Sequence, residues 1–193
     1  MPDTGAPIGR EPDLRPDCSR CDALCCVGLA FYESDMFAFD KPAEEPCRHL
    51  QADQRCAIHS NLEGRGFGGC VRFDCHGAGQ RLMQEVFPGR SWRDGPAAAR
   101  EIFDAFRALR TVHEQILLLR AAGNLGLPAE HERERAALLG ELTPAVGWTS
   151  QSLADFAQGP LPERVKAFLR GLRGFAGQPG APDSKSLMPA EPR

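Results

Sequence analysis

Cysteines are the residues of this 193-residue sequence best suited to chemistry, because eight of them fall within its first 75 positions. In chain order they are Cys18, Cys21, Cys25, Cys26, Cys47, Cys56, Cys70 and Cys75. A Cys-x2-Cys pair such as Cys18 and Cys21 lets two thiolates bind one ion from a tight turn. Disulfides do not persist in a reducing cytoplasm, so a dense cysteine cluster there indicates metal binding. We predict that all eight are ligands of a metal ion or cluster.

The spacing leaves open how the thiols divide into sites. Two four-cysteine zinc sites, one iron–sulfur cluster with thiols left over, and a shared centre of six cysteines are all compatible with the count. The run differs from bacterial ferredoxins, which use Cys-x2-Cys-x2-Cys-x3-Cys-Pro. A thioredoxin-like role for Cys18 and Cys21 would need a βαβ unit, which the sequence lacks. Because the side chains of Cys25 and Cys26 point in different directions, Cys26 either binds a second ion or packs.

The residues around the cysteines suit thiolate ligands. Glycines near Cys70 and Cys75 let the backbone approach closely and direct amides at sulfur. Arginines close to the cysteines would offset the negative charge of a tetrathiolate centre, and they are Arg20, Arg48, Arg55, Arg65 and Arg72. His49, His59 and His76 each lie within three residues of a cysteine. We expect them to hydrogen-bond to sulfur or backbone rather than to bind metal, since enough thiols are present without them.

The order of these motifs resembles a known family. Cys18-x2-Cys21-x3-Cys25-Cys26, Pro46-Cys47, Cys56-Ala57-Ile58-His59, Gly69-Cys70 and Phe73-Asp74-Cys75 are similar to the YkgJ-type zinc- or iron-chelating CxxCxxxCC domain family. The likeness covers roughly residues 15–78 and extends to the N-terminal module of some actinobacterial pentapeptide-repeat proteins, although this chain lacks the repeats. A related module in flagellin lysine methylases implies an iron–sulfur centre. The resemblance thus implies zinc or an iron–sulfur cluster and leaves the reaction undefined.

The rest of the chain predicts a mainly α fold, with a loop-rich, metal-stabilised N-terminal module packed on a C-terminal helical part. We divide the chain into a flexible N-terminus (1–17), a cysteine-rich module (18–78), an α-helical region (79–176) and a disordered tail (177–193). Short strands are expected within the module at Val27–Tyr32 and Val71–Phe73.

Apolar residues at spacings of three and four predict a long helix that Asp94 caps, with Pro96 in its first turn and a stop at Gly123-Asn124. Further helices are expected from Pro128 to Leu142, from Ser150 to a stop at Gly159, and from Pro162. His113 lies at the apolar margin of the long helix, which predicts a buried, hydrogen-bonded histidine. His131 is expected on a solvated face.

The composition argues against nucleic-acid binding, a membrane span and secretion. The net charge is −3, and residues 1–78 carry 13 acidic against 8 basic residues, so no basic stripe indicates nucleic-acid binding. No apolar run approaches the roughly 18 residues of a membrane span, and residues 1–17 do not resemble a secretory signal. We therefore expect a cytoplasmic metal-binding protein with a structural or redox-sensing site. Its C-terminal helices would contact a partner or a second copy. An iron–sulfur enzyme or electron-transfer component is the alternative, and the sequence favours a binding protein over an enzyme.

Overall fold

The structure is a computed structural model, and it describes residues 12–175. The predicted disordered tail, 177–193, lies outside the described residues, as do residues 1–11 of the predicted flexible N-terminus. Residues 12–17 lie against the rest of the chain, where the Gln80 side chain donates to the Arg15 carbonyl (2.6 Å) and accepts from the Asp17 N–H (3.0 Å).

The described part is mainly helical, as the sequence predicted. Three short helices lie in the first half: α1 (Leu24–Gly28), α2 (Gly68–Arg72) and α3 (Ala78–Arg81), which continues as the π-helical turn Leu82–Val86. Four helices follow: α4 (Pro96–Ala122), α5 (Ala129–Leu142), α6 (Ser150–Gln158) and α7 (Leu161–Gly171). Single 3-10 turns occupy Cys18–Arg20, His59–Asn61, Glu63–Arg65, Trp92–Asp94, Gly123–Leu125 and Leu172–Gly174. No helix of residues 12–175 is both long and apolar enough to cross a membrane.

The predicted strands at Val27–Tyr32 and Val71–Phe73 are wrong. Val27 belongs to α1 and Val71 to α2, and residues 12–175 contain isolated β-bridges but no strand. Val27 is buried against the core, whereas Val71 is 51% exposed. Short apolar runs do not distinguish a strand from a turn of helix, because both bury one or two side chains at that length.

The long helix α4 organises the hydrophobic core. It begins directly after Gly95, which is its N-cap residue, so the prediction that Asp94 caps the helix is wrong. Asp94 instead completes a capping box with Ser91 in the preceding 3-10 turn. The predicted seam from Ile102 to Leu119 is buried along its length, and α3, α5, α6 and α7 all pack against α4.

The sequence predicted a buried His113 and a solvated His131 on these helices. His113 is fully buried, and its Nδ1 lies 2.5 Å from the His76 carbonyl, which confirms the prediction of a satisfied core histidine. His131 was expected to be solvated, and that prediction is wrong. Its ring packs against Phe175 at 5.2 Å, and its buried Nδ1 has no hydrogen-bond partner among the described residues.

The cysteine module is joined to the helices through α1. Leu24 and Val27 belong to the same core as α4. Gly28 lets α1 approach α4 closely, since a Cβ at this position would lie 2.8 Å from the Phe103 ring. Just before α1, the Asp22 carboxylate accepts from the Ser91 hydroxyl (2.8 Å). The module and the helical part therefore share one core at this junction.

Farther from α4, the module has a small apolar centre of its own, which we call the aromatic cluster. The rings of Phe31 and Phe37 stack with centroids 4.4 Å apart, and Phe67, which is 2% exposed, meets Phe39 edge-on at 5.1 Å. Such pairs add about 0.5–1.5 kcal/mol each beyond their burial. Four rings are a small core for some sixty residues, so other interactions must help to hold these loops.

Candidate metal centre

All eight cysteines are described, and all are free thiols. Cys21 is buried, Cys18 and Cys70 are exposed, and the other five are half-buried. They lie on three segments of the chain. The first is the turn and helix of residues 18–28, the second is the loop of residues 47–56, and the third is α2 with the residues leading into α3.

Cys21 lies in a turn whose backbone N–H groups face its sulfur. The next two residues, Asp22 and Ala23, both have left-handed conformations, with φ of 51° and 56°. That conformation costs roughly 1–2 kcal/mol for a residue other than glycine. The Leu24 N–H donates to the Cys21 carbonyl at 3.3 Å, and the N–H groups of Ala23 and Leu24 lie near enough to the Cys21 sulfur to favour its thiolate. Converging backbone N–H groups of this kind form a concavity that favours negative charge, which is the charge of a thiolate.

The same device recurs at Cys75. It is followed by His76 and Gly77, with φ of 49° and 72°, and the nearby N–H groups of Gly79 and Gly77 lower the pKa of the Cys75 thiol by less than burial raises it. A side chain at Gly77 would meet the Asp13 carbonyl at 2.3 Å, so only glycine fits this turn. Two cysteines 54 residues apart in the chain thus have the same local backbone and the same kind of donors.

The loop of residues 47–56 is closed by backbone contacts. Leu50 and Cys56 form an antiparallel β-bridge, and the Leu50 N–H donates to the Cys47 carbonyl at 2.9 Å. The Cys47 N–H donates to the Cys26 carbonyl at 3.0 Å, which ties the loop to α1. The Cys56 sulfur receives the N–H of Ile58. These contacts bring Cys26, Cys47 and Cys56 into one neighbourhood.

Cys70 lies in α2 and is held by the aromatic cluster. Its N–H donates to the Phe67 carbonyl at 3.0 Å. The neighbouring Gly69 has no room for a side chain, since a Cβ there would lie 2.1 Å from the Phe37 ring. Although the residue as a whole is exposed, its sulfur is partly enclosed by protein, and this desolvation raises the pKa of Cys70 to about 11. The charges of Cys26, Cys47 and Cys56 raise it further.

The thiols influence each other in pairs. A hydrogen bond from the Cys21 thiol lowers the pKa of Cys18 to about 6, and the same bond raises the pKa of Cys21. Cys25 and Cys26 form a second pair, in which the hydrogen bond raises the pKa of Cys25 and lowers that of Cys26. One thiol of each pair is thus the readier to lose its proton, and a metal ligand must be deprotonated.

The three histidines near the cysteines occupy different surroundings. His49 belongs to the aromatic cluster, 5.2 Å from the Phe67 ring. The His59 charge lowers the pKa of Cys18, after the larger effects of the Cys21 hydrogen bond and of desolvation. His76 Nδ1 lies 3.4 Å from the Asp74 carboxylate.

The positive charges near the thiols include one that the sequence analysis missed. Lys41 is 4% exposed, and its ammonium donates to the carbonyls of Val27, Pro42 and Glu45 at 2.8–2.9 Å. Burial lowers the pKa of Lys41, while the charges of Cys47 and Cys26 raise it. Of the arginines expected to offset thiolate charge, Arg48 lies over the Phe39 ring at 3.6 Å, and Arg20 pairs with Asp17 at 3.9 Å. Lys41 was detectable only as one of three lysines in an arginine-rich chain.

Within residues 12–175, no group of three or more His, Cys, Asp or Glu side chains is arranged to hold a metal ion. The donor chemistry nevertheless fits a zinc or iron site, because thiolates are the preferred ligands of both. One or two backbone N–H groups lie near each of the sulfurs of Cys21, Cys56 and Cys75. Binding would therefore require the thiol side chains to converge.

A groove of about 680 Å³ lies elsewhere, between α4, α6 and α7. It is lined by residues from Glu101 to Thr111 and from Ser150 to Lys166, so no cysteine contributes to it. The eight cysteines therefore lie outside this groove.

Comparison with known proteins gives one curated relative of unassigned function. The chain is 43% identical over 110 residues to the uncharacterized protein YybG of Bacillus subtilis (strain 168), which covers 57% of this chain and 39% of the relative. The chain therefore spans about two fifths of the length of that relative. No protein-family model matches the chain, and no solved structure matches it significantly.

Proposed function

We propose that this protein binds zinc or an iron–sulfur cluster through the eight cysteines of residues 18–78, and that the bound metal has a structural or redox-sensing role in the cytoplasm. The likeness of the cysteine order to the YkgJ-type domain family supports this proposal. Bound zinc would hold the loops together, whereas a cluster would add a one-electron redox couple.

The observation that carries the proposal is the backbone around Cys21 and Cys75. Each is followed by two left-handed residues, and three of these four are not glycine. Such strain persists only where the surroundings compensate for it. Here each strained turn places two N–H groups near a sulfur, where they favour the thiolate, while the hydrogen bond with Cys18 and burial raise the pKa of Cys21 and burial raises the pKa of Cys75.

A structural role is supported by the small apolar content of the module. Apart from the junction at Leu24 and Val27, its buried centre is the aromatic cluster. Structural metal sites supply folding free energy directly, and apparent values for zinc-finger peptides are about 10–16 kcal/mol at pH 7. One such site would exceed what four aromatic rings contribute.

The exposure of Cys18 and Cys70 favours a second candidate function. A cluster with ligands at the surface can exchange electrons with a partner, so an iron–sulfur enzyme or electron-transfer component is the alternative. The predicted contact of the C-terminal helices with a partner or a second copy stays a prediction. Leu117 and Leu118 of α4, 40% and 45% exposed, are candidates for that contact.

The test is to purify the full chain anaerobically, without added metal, and to measure its metal content and absorption spectrum. We expect either stoichiometric zinc in a colourless protein or iron with a broad visible band that dithionite bleaches. Cys75→Ser should lower the metal content, whereas Ser60→Ala, at an exposed position of the same module, should not. A fully reduced wild-type protein without zinc or iron would contradict the proposal.

A further inference from the structure

We infer that two side chains of the helical part, Trp92 and His113, are positioning residues for the metal centre. Each donates to a backbone carbonyl of one strained turn, Trp92 in residues 21–24 (the first turn) and His113 in residues 75–78 (the second turn). The inference rests on the proposed function, in which the cysteines that begin these turns are ligands.

Both turns need support from outside their own sequence. Asp22, Ala23 and His76 have positive φ angles of 51°, 56° and 49°, a conformation that residues other than glycine rarely adopt. Such a conformation persists only where surrounding groups hold it in place. The contacts that hold these turns should therefore come from other parts of the chain.

The first turn is held at Asp22 by three consecutive residues. The indole Nε1 of Trp92 donates to the Asp22 carbonyl at 3.0 Å. The Asp22 carboxylate, whose side chain is 11% exposed, accepts from the Ser91 hydroxyl at 2.8 Å and from the Arg93 guanidinium at 3.1 Å. The Trp92 ring lies 6.3 Å from the Phe103 ring of α4, so these contacts fix the first turn to the long helix.

The second turn is held at His76 by a side chain of α4. His113 is fully buried, and its Nδ1 lies 2.5 Å from the His76 carbonyl, which can only accept. The Nδ1 atom therefore carries the proton, and Nε2 accepts from the Arg81 guanidinium at 3.3 Å. An apolar residue at position 113 could fill the core, but it would leave the His76 carbonyl without this donor.

The two turns meet at α3. The Cys75 carbonyl accepts from the Ala78 N–H at 3.0 Å, where this helix begins. A Cβ built on Gly79 would lie 2.8 Å from the Cys21 Cβ, so α3 also packs directly on the first turn. Through Trp92 and His113, the helical part thus holds the backbone of two proposed ligands against one short helix.

The test measures amide exchange by NMR in the full, ¹⁵N-labelled protein as purified. The Leu24 N–H reports on the first turn, because it donates to the Cys21 carbonyl, and the Ala78 N–H reports on the second. Trp92→Phe removes the indole donor and keeps an aromatic ring. It should accelerate exchange at Leu24 about fivefold, the factor expected for one hydrogen bond, and leave Ala78 unchanged. His113→Leu should accelerate exchange at Ala78 by a similar factor and leave Leu24 unchanged.

Two matched variants separate positioning from general stability. Trp148→Phe removes an indole donor that meets the Leu142 carbonyl at 3.3 Å, elsewhere in the helical part, and it should leave both amides unchanged. His113→Asn is close in size to His113→Leu but keeps a donor near the place of Nδ1. It should return the exchange of Ala78 toward the wild-type rate.

Zinc release connects the turns to the metal centre. Each protein is reconstituted with Zn²⁺, and the metal is then withdrawn by an excess of chelator. Release should be several-fold faster from Trp92→Phe and His113→Leu than from the wild type. It should be unchanged in Trp148→Phe.

Equal acceleration of both amides in either variant would overturn the inference, because it would indicate a loss of global stability. Unchanged exchange at the turn that a variant targets would overturn it as well, as would wild-type rates of Zn²⁺ release from both variants. A His113→Asn protein that exchanges as fast as His113→Leu would exclude the positioning role of His113. A wild-type chain that binds neither zinc nor iron would overturn the proposed function itself, whatever the exchange pattern.

Discussion

Gly79 offers a sharp perturbation of the candidate metal centre, because a single methyl group there would press on a proposed ligand. In Gly79→Ala, the new Cβ would lie 2.8 Å from the Cys21 Cβ, closer than real Cβ atoms approach. That atom is attached directly to the backbone, and the following residues Asp22 and Ala23 hold the turn in its left-handed conformation. Cys21 therefore cannot retreat by a simple side-chain rotation.

The expected magnitude combines two opposing effects. Replacing glycine by alanine inside a helix stabilises it by about 1 kcal/mol, whereas forcing a methyl group into a packed site costs about 1–3 kcal/mol. Gly140→Ala in α5 is the matched control, since nothing lies within 4 Å of its new Cβ and only the helix effect operates. The free energy of unfolding of Gly79→Ala should be lower than that of Gly140→Ala by about 1–3 kcal/mol.

The assay is guanidinium unfolding of the metal-loaded variants, followed by circular dichroism. Metal release to a chelator, measured in parallel, should be faster in Gly79→Ala than in Gly140→Ala, because the change shifts the proposed ligand Cys21 and the Gly79 N–H lies near the proposed ligand Cys75. If both variants gain the same stability and release metal at the same rate, Cys21 does not pack against α3 and is not a metal ligand.

Three further predictions concern other parts of the molecule. Burial lowers the pKa of His113 from 6.5 to about 4, so the unfolded chain binds a proton at this side chain before the folded chain does as the pH falls. The free energy of unfolding should therefore decrease by about 3 kcal/mol between pH 6.5 and pH 4. Urea midpoints measured across this range should vary less in His113→Gln than in the wild type. Lys41→Met leaves three carbonyls without their donor and should lower the free energy of unfolding, measured in thermal melts, by about 3 kcal/mol. The control Lys166→Met, which removes an exposed ion pair with Glu163, should change it by less than about 1 kcal/mol. Gln54 has a φ of 67° at an exposed turn, so Gln54→Gly should stabilise by about 1 kcal/mol in chemical unfolding and Gln54→Ala should not; equal effects would exclude backbone strain as the cause.

The helical half of the fold was predictable because each helix can be identified from the spacing of apolar residues that are close together in the sequence. The spacing of Ile102, Leu109 and Ile116 is enough to identify the buried face of α4. The expected starts at Pro128 and Ser150 agree with the starts of α5 and α6 to within about a residue. The prediction for Asp94 was wrong because Gly95 is the N-cap of α4 and Asp94 forms a capping box with Ser91 in the preceding turn. A capping residue two positions before a proline can serve a preceding turn equally well.

The cysteine module was predictable in composition and not in conformation. Counting thiols identifies candidate ligands, but which thiols meet depends on contacts such as Cys47 with Cys26, between residues far apart in the sequence. The short helices around Val27 and Val71 carry too few residues to show a period. The left-handed turns after Cys21 and Cys75 were also invisible, because Asp22, Ala23 and His76 are not residues that signal this conformation.

The central claim is that metal–sulfur bonds hold residues 18–78 in place, and hydrogen–deuterium exchange of the full chain tests it most directly. The protein as purified is compared with the same protein after chelation under reducing conditions. We expect chelation to accelerate exchange throughout residues 18–78, while α4 stays protected by its contacts with α6 and α7. Unchanged exchange across residues 18–78, in a sample shown to have lost its metal, would contradict the account.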